Sequence, residues 1–298
     1  MTLYTQAESN IRKTWLFLSL FCIFIILLGW LFSELLGNSI FLVIAIVIAF
    51  IQSFLSYWYS DKIVLAITGA KEIKKEDNPE LYRLVENLCI TAGLPLPKIY
   101  IINESQPNAF ATGRDKNHAV VAVTRGLLEK LERVELEGVL AHELSHIGNR
   151  DILLATVIVI LVGVIAFLSH WFLRISFWGG RSRNSRGSGG GLLLFLGLIA
   201  AILAPIAATL IRLAISRKRE FLADASSAFL TRYPEGLARA LEKISSDPNP
   251  LRVAGNSTSH LFIVNPFRGE QKANWFFKLF MTHPPVEERI QALRGIKI

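Results

Sequence analysis

The sequence predicts an α-helical integral membrane protein, with four hydrophobic spans in two hairpins and an α+β domain built from the cytosolic segments. Three observations carry this expectation. The 298 residues are 52% hydrophobic, and the mean hydropathy of +0.41 is above that of an ordinary soluble domain. Four apolar runs, 15–36, 40–59, 152–173 and 192–215, each reach the roughly 20 residues needed to cross a hydrocarbon core. The polar stretches around them alternate between helical spacing and short β-rich runs. The resulting organisation is a transmembrane hairpin over 1–59, a first domain part over 60–151, a second hairpin with a basic Gly/Ser-rich loop over 152–215, and a second domain part over 216–298.

The first run is too long for the apolar region of a cleaved signal and has no small-residue cleavage site before the second run, so it reads as a retained anchor. Arg12 and Lys13 precede it, and the link Gly37-Asn38-Ser39 carries no basic residue, which places both ends of the hairpin in the cytosol. The same rule puts 60–150 there. The loop 174–191 holds Arg174, Arg181, Arg183 and Arg186, so its charge argues against full crossing by the second hairpin while the length of its runs argues for it. Crossing is the expectation, with partial seating against the rest of the protein as the alternative. The formal net charge of +8 is clustered beside the spans, a pattern of orientation and headgroup contact rather than nucleic-acid binding. Cys22 lies in the first run and Cys89 in a polar segment, which gives neither a disulfide framework nor a thiolate metal site.

Asn78-Pro79 opens a helix over 80–92 whose Leu81, Leu84, Val85 and Leu88 share one face, with Gly93 as its stop. The runs 98–103 and 118–123 read as strands. Between them, Asn108, Ala109, Phe110, Ala111, Thr112 and Gly113 form a candidate edge strand that can pair with an extended peptide through backbone hydrogen bonds. An ordinary loop is the other reading. Thr124 caps a helix containing Leu127, Leu128 and Leu131, and the next helix begins near Glu135 and ends at Gly148-Asn149.

That helix carries His142-Glu143-Leu144-Ser145-His146. Positions four apart face the same way, so both imidazoles reach one zinc ion at about 2.0–2.1 Å per nitrogen, with Glu143 beside the open position as general base. An amphipathic helix with an incidental Glu-His face is the plain alternative, and two protein ligands leave the ion incomplete. The fourth run continues without a helix breaker through Arg219-Glu220-Phe221-Leu222-Ala223-Asp224. Glu220 then stands about 8 Å past the span and is the candidate third ligand. Asp224, one turn on, is the candidate carboxylate that orients a ligating histidine through its other ring nitrogen. Because the third span starts at 152, the centre is juxtamembrane.

The chain resembles the HtpX-like membrane zinc metalloproteases, relatives of the CAAX prenyl endoproteases. The leading hairpin, 108–113, His142 to His146, Arg219 to Asp224, and Thr282-His283-Pro284-Pro285 followed by Arg289-Ile290 carry the resemblance in order over nearly the full length. The resemblance implies a zincin-like metalloprotease domain with one Zn2+ per chain on His142, His146 and Glu220, and Glu143 as the catalytic carboxylate. It implies that the strand Asn108 to Gly113 receives substrate backbone. It also makes His283 a candidate donor to the tetrahedral oxyanion, helped or positioned by Arg289; from spacing alone His283 is only a helix-capping candidate. The implied setting is the bacterial cytoplasmic (inner) membrane, multi-pass, with the site on the cytosolic side and protein quality control as the role. The implied partners are membrane-protein or unfolded polypeptide substrates and the lipid bilayer, without nucleic acid. A CAAX-type prenyl endopeptidase would need more spans than four, and a metal transporter would carry ionisable residues within them, whereas Glu34 and Arg212 lie near span ends. A catalytically silent adaptor or holdase is the remaining alternative. His118, in a predicted strand, and His170, near a span end, are read as hydrogen-bonding residues outside the chemistry, and His260 as part of a loop or strand near the site.

Overall fold

The computed structural model describes residues 3–179, 199, 217–249, 251–253, 258–264, 266 and 284–296. Helices α1 (Leu3–Leu36) and α2 (Ile40–Trp58) are joined by three residues and pack along each other. Their closest approach is at Gly29, where a side-chain carbon would fall 2.1 Å from Ala45 Cβ. Only hydrogen fits there, and small residues of this kind let helices associate in lipid by close packing. Leu16, Ile23, Val43, Phe50 and Phe54 point outward from the pair and are exposed, an apolar surface that suits a bilayer rather than water.

Among the described residues, three helices are long and apolar enough to cross a membrane, over Glu8–Glu34, Ile40–Trp58 and Asp151–Leu168. The third belongs to α7 (Asp151–Gly179) and differs from the others in being 67% buried over its apolar window, against 22% and 17%. It packs between the α1–α2 pair and the domain, so its side chains serve as core as well as span. The expected fourth span, 192–215, lies outside the described residues apart from Ile199, which is buried in the apolar cluster shared by α1, α2 and α7. The basic residues Arg181, Arg183 and Arg186 also lie outside them.

After α3 (Ser60–Thr68), the domain forms a four-stranded sheet from β1 (Lys71–Glu72), β2 (Lys98–Ile102), β3 (Ala109–Gly113) and β4 (Ala119–Thr124), in the order β1-β2-β4-β3. The pair β2–β4 is parallel and the two outer pairs are antiparallel, which leaves β3 at an edge. The run expected to begin at His118 begins instead at Ala119. His118 closes a single tight turn whose Asn117 and His118 N–H groups are taken by the Asp115 carboxylate. Gly113 sits before that turn at φ 136°, and a Cβ there would meet His118 O at 2.3 Å. The end of the edge strand therefore requires glycine.

Among the described residues, the remaining α-helices are α4 (Pro79–Ala92), α5 (Arg125–Lys130), α6 (Arg133–Gly148), α8 (Arg217–Thr231), α9 (Pro234–Ser246) and α10 (Val286–Arg294). Asn78 caps α4 by accepting the Leu81 N–H, and the predicted face of Leu81, Leu84, Val85 and Leu88 is buried in the main core. Reciprocal bonds between Glu132 and Glu135 open α6. This helix is the centre of the domain, packed against α4, α8, α9 and β3. At its far end the left-handed residue is Arg150, at φ 56°, and not the glycine or asparagine of the expected stop. Two residues thus separate α6 from α7, and Asp151 is brought back beside the last turn of α6.

Candidate metal centre

The helical period of α6 puts His142 and His146 edge to face with ring centroids 4.8 Å apart and Nε2 atoms 3.2 Å apart. From α8, Glu220 places Oε2 3.9 Å from His142 Nε2 and Oε1 3.5 Å from His146 Nε2. One ligand atom from each of the three residues lies within 4.8 Å of the others. A tetrahedral zinc ion at about 2.0–2.1 Å from both nitrogens separates them by about 3.3 Å, so the observed spacing fits such an ion. The other ring nitrogens face carboxylates. His142 Nδ1 is 2.9 Å from Asp224 Oδ1, a close contact that is poorly aligned as a hydrogen bond, and His146 Nδ1 is 3.1 Å from Asp151 Oδ2. Carboxylates at Nδ1 leave Nε2 as the metal-facing atom.

Without a bound ion, burial and neighbouring charges set the titration of these groups. Burial pushes the Glu143 carboxyl up to about 7 and the charge of Glu220 adds to this, while His146, Arg289 and a hydrogen bond from the Ala111 N–H pull it down. Burial disfavours charge on His146, but Asp151 and Glu220 outweigh it and lift the imidazole to about 9. For His142, burial prevails over Asp224 and the pKa is lowered. Asp224 is held low, since the Arg289 and His142 contacts exceed its burial cost. Around the histidines, Glu143, Glu220, Asp224 and Asp151 face the guanidiniums of Arg289 and Arg219.

Arg289 is fully buried. Its Nε and Nη2 donate to the two oxygens of Asp224 at 2.8 and 2.7 Å, and Nη1 donates to Ile263 O at 2.8 Å. The same Nη1 is 3.5 Å from Glu220 Oε2. The family resemblance linked Arg289 to His283; in the fold it braces two acidic residues of α8. His283 lies outside the described residues.

The edge strand approaches the centre from the other side. Phe110 packs edge-on against Phe262 with ring centroids 5.3 Å apart, and Thr112 Oγ1 is 2.9 Å from Thr156 Oγ1. Asn108 Nδ2 donates to Val264 O at 3.0 Å, and Ala109 O accepts from Ile263 N at 3.0 Å. Asn108 and Ala109 therefore hold the 262–264 segment. Because Thr124 N bonds Asn108 O, strand alternation turns the backbone groups of Ala109, Ala111 and Gly113 away from β4. With Ala109 O taken, Ala111 and Gly113 carry the rest of the outward-facing edge, and the Ala111 N–H reaches Glu143.

His118 is distant in role, bonded to Arg114 and Asp115 at an exposed turn. Sequence reasoning missed Asp151. The one available signal was a carboxylate directly after the motif helix, and its direction depended on the Arg150 turn.

A helical membrane protein with a two-histidine, one-glutamate cluster and a carboxylate beside it defines the class of membrane metallopeptidases. The chain belongs to peptidase family M48, whose profile matches residues 75–297. It is 47% identical over 302 residues to a Protease HtpX homolog of Thermoanaerobacter pseudethanolicus, covering 99% of this chain and 98% of that one. Against a Protease HtpX homolog of Pyrococcus furiosus the identity is 50% over 264 residues, covering 88% and 89% of the two chains. Among solved structures, Ste24p of S. mikatae aligns with a TM-score of 0.49 and 20% identity over 98% of this chain and 66% of that chain. The resemblance read from the motifs holds, and the protein is a metalloprotease with helices long and apolar enough to cross a membrane.

Proposed function

We propose that this chain is a zinc-dependent endopeptidase of the bacterial cytoplasmic membrane, with its site on the cytosolic side, that cleaves misfolded or damaged membrane proteins and unfolded chains near the membrane in protein quality control. The observation that carries this reading is the convergence of His142, His146 and Glu220 within 4.8 Å of one another beside the buried Glu143, under an edge strand. His142, His146 and Glu220 would hold the ion, which when bound supplies Lewis acidity toward water and toward the scissile carbonyl.

Glu143 takes the proton of the attacking water and delivers it to the leaving amine. Burial raises the proton affinity of this carboxyl, which suits it to both transfers. Asp224 and Asp151 hold the rings of His142 and His146, and Arg289 keeps Asp224 and Glu220 in place. Substrate backbone pairs with the strand Asn108 to Gly113 along the edge of Ala111 and Gly113, and such pairing reads side chains weakly, which suits unfolded substrates. The family pattern adds His283 as a donor to the oxyanion. Supporting the membrane setting are the spans within 1–59 and 152–215, with 60–151 and 216–298 forming the protease domain between and after them. A centre at the foot of α7 meets substrates where they leave the bilayer.

The test is cleavage of casein by the detergent-solubilised protein, with and without chelator and with zinc returned, beside Glu143→Ala. Chelator-sensitive cleavage restored by zinc and abolished in Glu143→Ala, with zinc still bound, is expected. Turnover by Glu143→Ala overturns the mechanism. Inactivity of the zinc-loaded wild type on any unfolded substrate favours the adaptor or holdase.

A further inference from the structure

The amino-terminal helix does more than anchor. Asn10, in α1, is buried. Its Nδ2 donates to Asp151 Oδ1 at 2.6 Å, and its Oδ1 accepts from Arg219 Nη1 at 3.0 Å. Arg219 Nε is also 3.4 Å from Asp151 Oδ1. The other oxygen of Asp151 is the one that faces His146 Nδ1 at 3.1 Å. One amide thus joins the carboxylate behind a candidate metal ligand to the residue that directly precedes another, Glu220.

The side-chain type is specific to this task. An amide both donates and accepts, so it can meet a carboxylate and a guanidinium at once, and this pairing fixes which end is oxygen. An aspartate at position 10 would set two carboxylates against each other, and a leucine would leave Asp151 Oδ1 without its amide donor. A polar side chain at the start of an apolar span is costly to bury unless it is satisfied. Here its partners come from α7, which sets Asp151 behind His146, and from α8, which carries Glu220.

We propose that Asn10 is a positioning residue of the metal centre. Through Asp151 it fixes the His146 ring, and through Arg219 it fixes the start of the helix that carries Glu220, so α1 is a working part of the site. This rests on the metal assignment under Proposed function. Its consequence is that loosening α1 from α7 loosens the metal.

The experiment uses the full-length zinc-loaded protein in detergent and follows chelator-driven zinc release, together with the visible absorption of the cobalt-substituted form as a report on ligand geometry. Asn10→Ala and Asn10→Leu are expected to release zinc about tenfold faster or more, the range usual for outer partners of ligating histidines, with an altered cobalt spectrum. In an Asp151→Ala background, Asn10→Ala should accelerate release by a smaller factor than in the wild type, because only the Arg219 contact is then left to lose. Thr14→Val is the control for helix packing, since Thr14 is equally buried one turn along α1 and bonds Asn10 O at 2.9 Å. Wild-type release rates in both Asn10 variants, or equal acceleration by Thr14→Val, overturn the proposal. A wild type that takes up no zinc, or that keeps it after Glu220→Ala, overturns the metal assignment itself and this inference with it.

Discussion

Asp224 and Arg289 meet in a two-point ion pair, with nitrogen–oxygen distances of 2.8 and 2.7 Å, and both side chains are withdrawn from solvent. The pair is the back wall of the centre. Asp224 Oδ1 also lies 2.9 Å from His142 Nδ1, so the orientation of that imidazole depends on a guanidinium that stands behind it.

Removing Arg289 leaves Asp224 buried without its cation. Breaking a buried pair in this way costs about 3–5 kcal/mol. Arg289→Met should lower the thermal unfolding midpoint of the metal-free protein in detergent. Arg289→Lys should not restore it, because an ammonium cannot make the fork. A midpoint unchanged from wild type would show that the pair is dispensable.

Glu220 is the proposed ligand with no helical link to the histidines. Glu220→Gln should lower zinc content from about one ion per chain to near none while the fold persists. Elemental analysis of the purified protein reads this directly, and full occupancy in the variant removes Glu220 from the metal.

Gly113 ends the edge strand at φ 136° against His118 O. Gly113→Val forces this turn to move, with a strain of about 1–3 kcal/mol. If the edge receives substrate, KM for an unfolded peptide rises while zinc content stays at the wild-type level. An unchanged KM would place the substrate elsewhere.

Burial pushes the Cys89 thiol up to about 11. The thiolate is then scarce at pH 8 and gains population only as pH rises toward that value. In a Cys22→Ser background, alkylation of the folded protein at pH 8 should be slow and become fast on denaturation. Rapid labelling without unfolding would mean that α4 does not seal the core as described.

Much of the fold was legible because its signals are local. The apolar face of α4, the Asn78 cap and the strands β2 and β4 follow from spacing and turn chemistry within a few residues. The start of β4 was missed by one residue because the Asp115 carboxylate draws His118 into the turn. The stop of α6 at Gly148-Asn149 was read correctly, but the left-handed residue that turns the chain toward α7 is Arg150, a residue that rarely takes that conformation.

The sequence by itself determined that His142 and His146 share a face, and that Glu220 and Asp224 share another, because a helical period is set by the chain's own backbone. Only the tertiary structure decided the pairing: Asp224 to His142, Asp151 to His146, Arg289 behind Asp224 and Glu220, and Asn10 on an aspartate 141 residues away. Those choices depend on the angles at which α1, α6, α7, α8 and α10 meet. Packing of whole helices sets such angles, and no short stretch of sequence contains them.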